Sequence, residues 1–137
     1  MADDVLVNKA AAIERCVFRA REEYQKDPAT FATDFTRQDA AVLNIQRACE
    51  AALDMGQHVV RREKLGLAQS ARDVFALMAG GGWIDAALAG RLAKMSGYRN
   101  IAVHNYQKLL PPVTVAVITL HSQDFLDFSQ AVLPRDG

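Results

Sequence analysis

The segment "GYRNIAVHNYQ", residues 97–107, gathers an arginine, two asparagines, a histidine and a tyrosine within eight positions. A histidine can take and return protons near neutrality, and His104 is the one in this segment. Arg99 is a permanent cation whose planar fork matches phosphate oxygens. Asn100 carries donors and an acceptor that can orient a hydroxyl, and Tyr106 adds a phenol. A histidine with an arginine is the minimal kit for cleaving RNA without a metal. The first moves the proton of the attacking ribose hydroxyl or of the leaving oxygen, and the second stabilises charge building on the phosphorus oxygens.

Helix geometry limits which of these groups can meet. On an ideal helix Asn100 and His104 lie about 40° apart, Arg99 and Tyr106 about 20° apart, and Arg99 and His104 about 140° apart. One straight helix therefore does not aim the Arg–His pair at one phosphate. Either the first turn after Gly97 is distorted, or two copies of the chain complete the site. The second arrangement is favoured, because two copies of Lys94, Arg99 and Lys108 would also build a positive cleft for RNA. The chain itself has no net charge, with 16 basic and 16 acidic residues, so no global field attracts a nucleic acid.

The elements that must carry this segment read as helices. Across residues 4–26, Leu6, Ala10, Ile13, Val17, Ala20 and Tyr24 form one apolar stripe. Asp3 or Asp4 can cap its start, and Asp27-Pro28 stops it. "PATFATDF" reads as a connecting loop. Thr36 with Asp39 reads as a capping box opening a long second helix to about Leu65, ended by Gly66. Ser70 with Asp73 opens a short helix, "GGG" at 80–82 is a turn, and Asp85 caps the helix that leads into residues 97–107. "VTVAVITL" is β-branched, but it has no strand to pair with. Ile118, His121, Phe125, Phe128 and Val132 step by three and four beyond Pro112, so it reads as a last helix. The expected architecture is all-α, an antiparallel bundle of five to six helices forming one domain over residues 1–137.

Other chemistries lack their residues. The glycine triplet is not followed by the lysine of a phosphate loop. His58, His104 and His121 have no ligand-spaced partner, so neither a metal nor a cofactor is expected. His58 reads as solvated surface and His121 as a core histidine. Cys16 and Cys49 read as core residues in a reducing compartment. The acidic opening "MADDVLVNKA" lacks a signal-peptide core, and no segment is long enough to span a membrane. A cytoplasmic protein is expected.

The order R-x-x-x-x-H-x-Y, carried by Arg99, His104 and Tyr106 with Asn100 after the arginine, resembles the signature of the HEPN superfamily of helical ribonucleases. More specifically it resembles the HepT toxins of toxin–antitoxin pairs. From about residue 34 onward the layout is similar too, whereas the first helix fits by length and pattern only, and Leu109-Leu110-Pro111-Pro112 departs from the usual polar link. The resemblance implies a homodimer whose motifs share one RNA-cleaving cleft, with His104 as general acid/base, Arg99 stabilising the transition state and Asn100 orienting. It also implies a partner, a minimal nucleotidyltransferase antitoxin that transfers AMP to Tyr106. Two other readings stay open. One is a non-catalytic helical dimer that binds a nucleotidyltransferase or nucleotide. The other is a bundle in which Arg99 and His104 merely cap or bridge helices.

Overall fold

The computed structural model describes residues 3–136, which form helices joined by short turns, with no strand among the described residues. Helix α1 (Asp4–Gln25) is capped by Asp3, whose side chain accepts the Val5 amide at 2.9 Å. Its expected stripe, Leu6 to Ala20, is buried. After it, Pro28–Thr33 winds into a 3₁₀ turn where an irregular loop was expected. Asp27 caps that turn, and Phe31 anchors it by packing edge-on against Tyr24 at 5.4 Å.

Helix α2 (Phe35–Arg62) starts earlier than its sequence suggested. Asp34 is the cap. One of its oxygens accepts the Arg37 amide at 3.0 Å and the other accepts Arg37 Nε at 2.9 Å. Thr36 therefore lies inside the helix, and the expected Thr36–Asp39 box does not form. Asp34 is better placed because its carboxylate satisfies an orphan amide and a guanidinium together. Arg37 is buried, and its fork also reaches the Asp27 carbonyl at 2.9 Å and Thr30 Oγ1 at 2.7 Å, over the Phe31 ring. It fastens the connector to α2. Arg37→Ala leaves those acceptors without a donor and is expected to cost about 2–3 kcal/mol. Thermal melting checks this, and Arg37→Lys should recover little of the loss because an ammonium cannot span the same acceptors.

The end of α2 also differs from expectation. Lys64, at φ 53°, is the left-handed residue, and the Leu65 amide closes the turn on the Val60 carbonyl at 3.0 Å. Gly66 lies beyond it. It is still glycine for a reason, since at φ +145° a Cβ there would sit 2.8 Å from Leu77 Cδ2.

Helices α3 (Ala71–Gly80) and α4 (Ala86–His104) carry the caps read from sequence. Ser70 Oγ accepts the Asp73 amide at 3.2 Å, and Asp85 accepts the Leu88 amide at 2.7 Å. The β-branched segment is helical, as its stripe implied: α5 (Pro111–Ala116) and α6 (Ser122–Asp136) are joined by a π turn, Val117–His121. That wider turn shifts the register by one residue. Ser122, bonded to the Ile118 carbonyl at 2.6 Å, takes the buried place read for His121. His121 is displaced to the half-exposed rim, with Nδ1 3.9 Å from Asp124.

The long helices pack antiparallel. Asp3 at the start of α1 meets His58 at 2.6 Å and Arg62 at 2.9 Å near the end of α2, so His58 is an anchoring residue rather than solvated surface. Lys9 meets Asp54 at 3.0 Å. Helix α6 lies along α1, with Arg21 donating to Ser122 at 2.9 Å, and α4 is tied to α6 by Arg91 and Asp124 at 2.9 Å. One apolar core runs through all the long helices, and Cys16 and Cys49 are buried free thiols within it.

Candidate functional site

Helix α4 delivers the motif to the surface. Leu88, Leu92, Met95, Tyr98 and Ala102 hold one face of it in the core, which turns Arg99, Asn100 and His104 outward. The helix runs without a break through Gly97, so a distorted first turn does not bring Arg99 and His104 together. Asn105 ends it by leaving helical geometry at φ −145°, ψ 50°, while its amide still bonds the Ile101 carbonyl at 2.8 Å. Tyr106–Lys108 then form a single 3₁₀ turn, so the ideal-helix angle between Arg99 and Tyr106 does not apply.

The turn between α4 and α5 is held from both sides. Tyr98, buried on α4, shares a hydrogen bond of 2.9 Å with buried Thr114 of α5. Burial pushes the Tyr98 phenol up, partly offset by that bond. Leu110, extended at ψ 137°, leads into Pro111 as a residue before proline must. Between these anchors sits Tyr106, 42% exposed, whose Oη donates to Asp39 Oδ1 on the first turns of α2. Burial, and then the hydrogen bond and charge of Asp39, raise the Tyr106 phenol well above its ordinary range, so it is protonated near neutrality.

Arg99 lies against α2 as well. Its Nη2 is 3.7 Å from Glu50 Oε2, and its Nη1 is 3.3 Å from Asn100 Oδ1. It borders a cleft of about 310 Å³ with Cys49, Glu50, Ser70, Ser96 and Asn100. The Cys49 thiol beneath is pushed up to about 12 by burial, against the pull of the Arg99 charge, and is no nucleophile. His104 is exposed, and its side chain makes no hydrogen bond among the described residues.

The chain thus brings Arg99 and Asn100 together beside one cleft, while His104 closes α4 and Tyr106 stands in the turn just beyond it. Lys94 is placed elsewhere, in a groove between α3 and α4 beside Arg72, while Lys108 is exposed in the turn that holds Tyr106. Sequence reasoning missed Asp39 and Glu50. They stand on one face of α2, since eleven residues bring a helix round to within about 20°. Each faces a motif residue. The available signal was this pairing of acids at helical spacing, which the capping-box reading of Asp39 concealed. Among the described residues no cluster of three or more histidine, cysteine or acidic side chains could hold a metal ion. No helix there is long and apolar enough to cross a membrane.

A bundle that turns an arginine, an asparagine and a histidine outward at the end of one helix, with a tyrosine just past it, is built as a helical ribonuclease of the HEPN class. Residues 13–132 match the family model described as Ribonuclease HepT-like, and the chain belongs to that family. It is 43% identical over 130 residues to the mRNA nuclease HepT of Shewanella oneidensis, covering 95% of this chain and 97% of that one. A solved toxin–antitoxin structure with AMP-PNP superposes with a TM-score of 0.90 at 42% identity, over 95% of this chain and 98% of the other. A second solved structure is the tri-AMPylated Shewanella oneidensis HEPN toxin in complex with an MNT antitoxin. It gives a TM-score of 0.89 at 43% identity, over 95% and 97% of the two chains.

Proposed function

We propose that this chain is the toxin of a toxin–antitoxin pair, a metal-independent endoribonuclease silenced when a nucleotidyltransferase antitoxin adenylylates Tyr106. His104 moves the protons of the cleavage, Arg99 stabilises the charge on the phosphoryl oxygens, and Asn100 orients the ribose. Lys108, exposed in the turn that holds Tyr106, adds positive charge for the RNA backbone. The reading places the chain in the cytoplasm, where its substrate is.

The observation that carries it is the state of His104. The imidazole is solvent-exposed, holds no hydrogen bond among the described residues, and caps nothing in the core. A structural histidine would be engaged. Because Arg99 and His104 diverge on one unbroken helix, the active unit is a homodimer in which two motifs face one cleft. An adenylate on Tyr106 would put a bulky anion at the mouth of that cleft and compete for Arg99.

The test has two arms. The purified, unmodified chain is incubated with RNA in excess EDTA, and cleavage is expected. Incubation with the neighbouring transferase, ATP and magnesium is expected to raise its intact mass by whole adenylates and to stop cleavage, with Tyr106→Phe unchanged in mass. RNA left intact by folded, unmodified protein defeats the nuclease assignment. An unchanged mass with an active transferase defeats the modification.

A further inference from the structure

Among its neighbours, the acceptor tyrosine meets a carboxylate of its own chain. Tyr106 Oη donates to Asp39 Oδ1, and Asp39 is available because Asp34, at the N-cap just before the helix begins, has taken over the capping of α2. The contact spans 67 residues of sequence, so it is made by the fold and not by local chain geometry. We infer that Asp39 is the base of the modification reaction: its Oδ1 takes the phenolic proton while Tyr106 Oη attacks the α-phosphorus of ATP. This rests on the reading that Tyr106 is the acceptor.

The step balances. A bond forms between Tyr106 Oη and the α-phosphorus, and the bond from that phosphorus to the bridging oxygen of pyrophosphate breaks. Pyrophosphate leaves with the electron pair, and the phenolic proton resides on Asp39 until water removes it. A base is required because the phenol is protonated at neutral pH and a neutral phenol is a weak nucleophile. Asp39 already satisfies the geometric condition for one, being hydrogen-bonded to the proton that must leave. The ester oxygen formed has no proton to donate. Product formation therefore breaks the link to α2 and frees the modified side chain to move from it.

Asp39→Asn separates this role from simple positioning. The amide oxygen can still accept from the phenol, but it cannot take the proton. With the transferase, ATP and magnesium, Asp39→Asn is expected to slow transfer to Tyr106 by at least about 100-fold in kcat, with the KM for the chain near that of the wild type. Asp39→Ala should be as slow. A melting curve for each variant confirms that it is folded. Three results would overturn the inference. Asn at the wild-type rate with Ala slow would mean that Asp39 only positions the ring. Both variants at the wild-type rate would mean that the transferase supplies the base. Faster transfer in Asp39→Asn would mean that the carboxylate chiefly repels the incoming triphosphate. Failure of the wild type itself to gain mass would instead defeat the reading of Tyr106 as acceptor, which keeps the two failures apart.

Discussion

Arg99→Ala and His104→Ala are each expected to lower RNA cleavage by at least about 100-fold, since a positioned proton-transfer group and a charge stabiliser each contribute on that scale. The melting temperature should hardly move. The contacts explain why. His104 has no hydrogen-bonded partner to lose among the described residues. Arg99 loses a 3.7 Å pairing with Glu50 whose side chains are 33% and 41% exposed, and such pairs contribute about 0–1 kcal/mol. If the two residues instead bridged helices, both substitutions would lower the melting temperature and there would be no activity to lose. The double variant should be little worse than either single one, because groups acting on one transition state are not additive.

Mixing the two inactive proteins extends the test. In a composite site, a dimer of one Arg99→Ala chain and one His104→Ala chain can assemble one intact Arg–His pair, and cleavage should partly return. Unaltered inactivity after chain exchange would mean that each motif works alone, against the 140° divergence of the two positions on α4.

Much of this arrangement was legible in the sequence because helices announce themselves locally. The stripe from Leu6 to Ala20, the caps Ser70 and Asp85, and the stop at Asp27-Pro28 all depend on residues within a few positions of one another, and each appears as read. The β-branched segment reads as helix against its local preference, on its spacing and its lack of a strand partner, and it is helical. Features that depend on a third party were not legible. Asp34 prevails over Thr36 as cap because Arg37 is drawn into a buried network with Asp27, Thr30 and Phe31. The π turn at Val117–His121 inserts a residue that no periodicity marks, and so exchanges His121 for Ser122 in the core. The motif was visible as residue types at a spacing. Asp39 and Glu50, which meet it from another helix, were not, since only the packing of α2 against α4 puts those acids beside Tyr106 and Arg99.

Phe128→Ala should show the opposite behaviour to Arg99→Ala, a large loss of stability with the chemistry intact. Phe128 is fully buried on α6 and packs edge-on against Phe75 of α3, with ring centres 5.7 Å apart. It also closes over the backbone of α2 at Gly56, where a Cβ would stand 3.8 Å from its ring and 2.8 Å from Val74 Cγ1. Three helices thus meet on one ring, and the glycine is there to let them approach. Truncation leaves a cavity that rigid neighbours cannot fill, and about 3–5 kcal/mol is expected to be lost. For a chain of this length that lowers the melting temperature by roughly 10–15 °C. Gly56 lies seventeen residues from Asp39 on the same helix, about 25 Å along its axis, and six residues, about 9 Å, from Glu50, so the cavity opens far from Tyr106 and beneath, not among, the outward-facing Arg99 and His104. Below its melting point Phe128→Ala should therefore cleave RNA at close to the wild-type rate per folded molecule, measured with the folded fraction taken from circular dichroism. A proportional loss of activity in fully folded protein would mean that packing between α2, α3 and α6 sets the geometry of the distant site, and the bundle could no longer be treated as a rigid stand for residues 99–106.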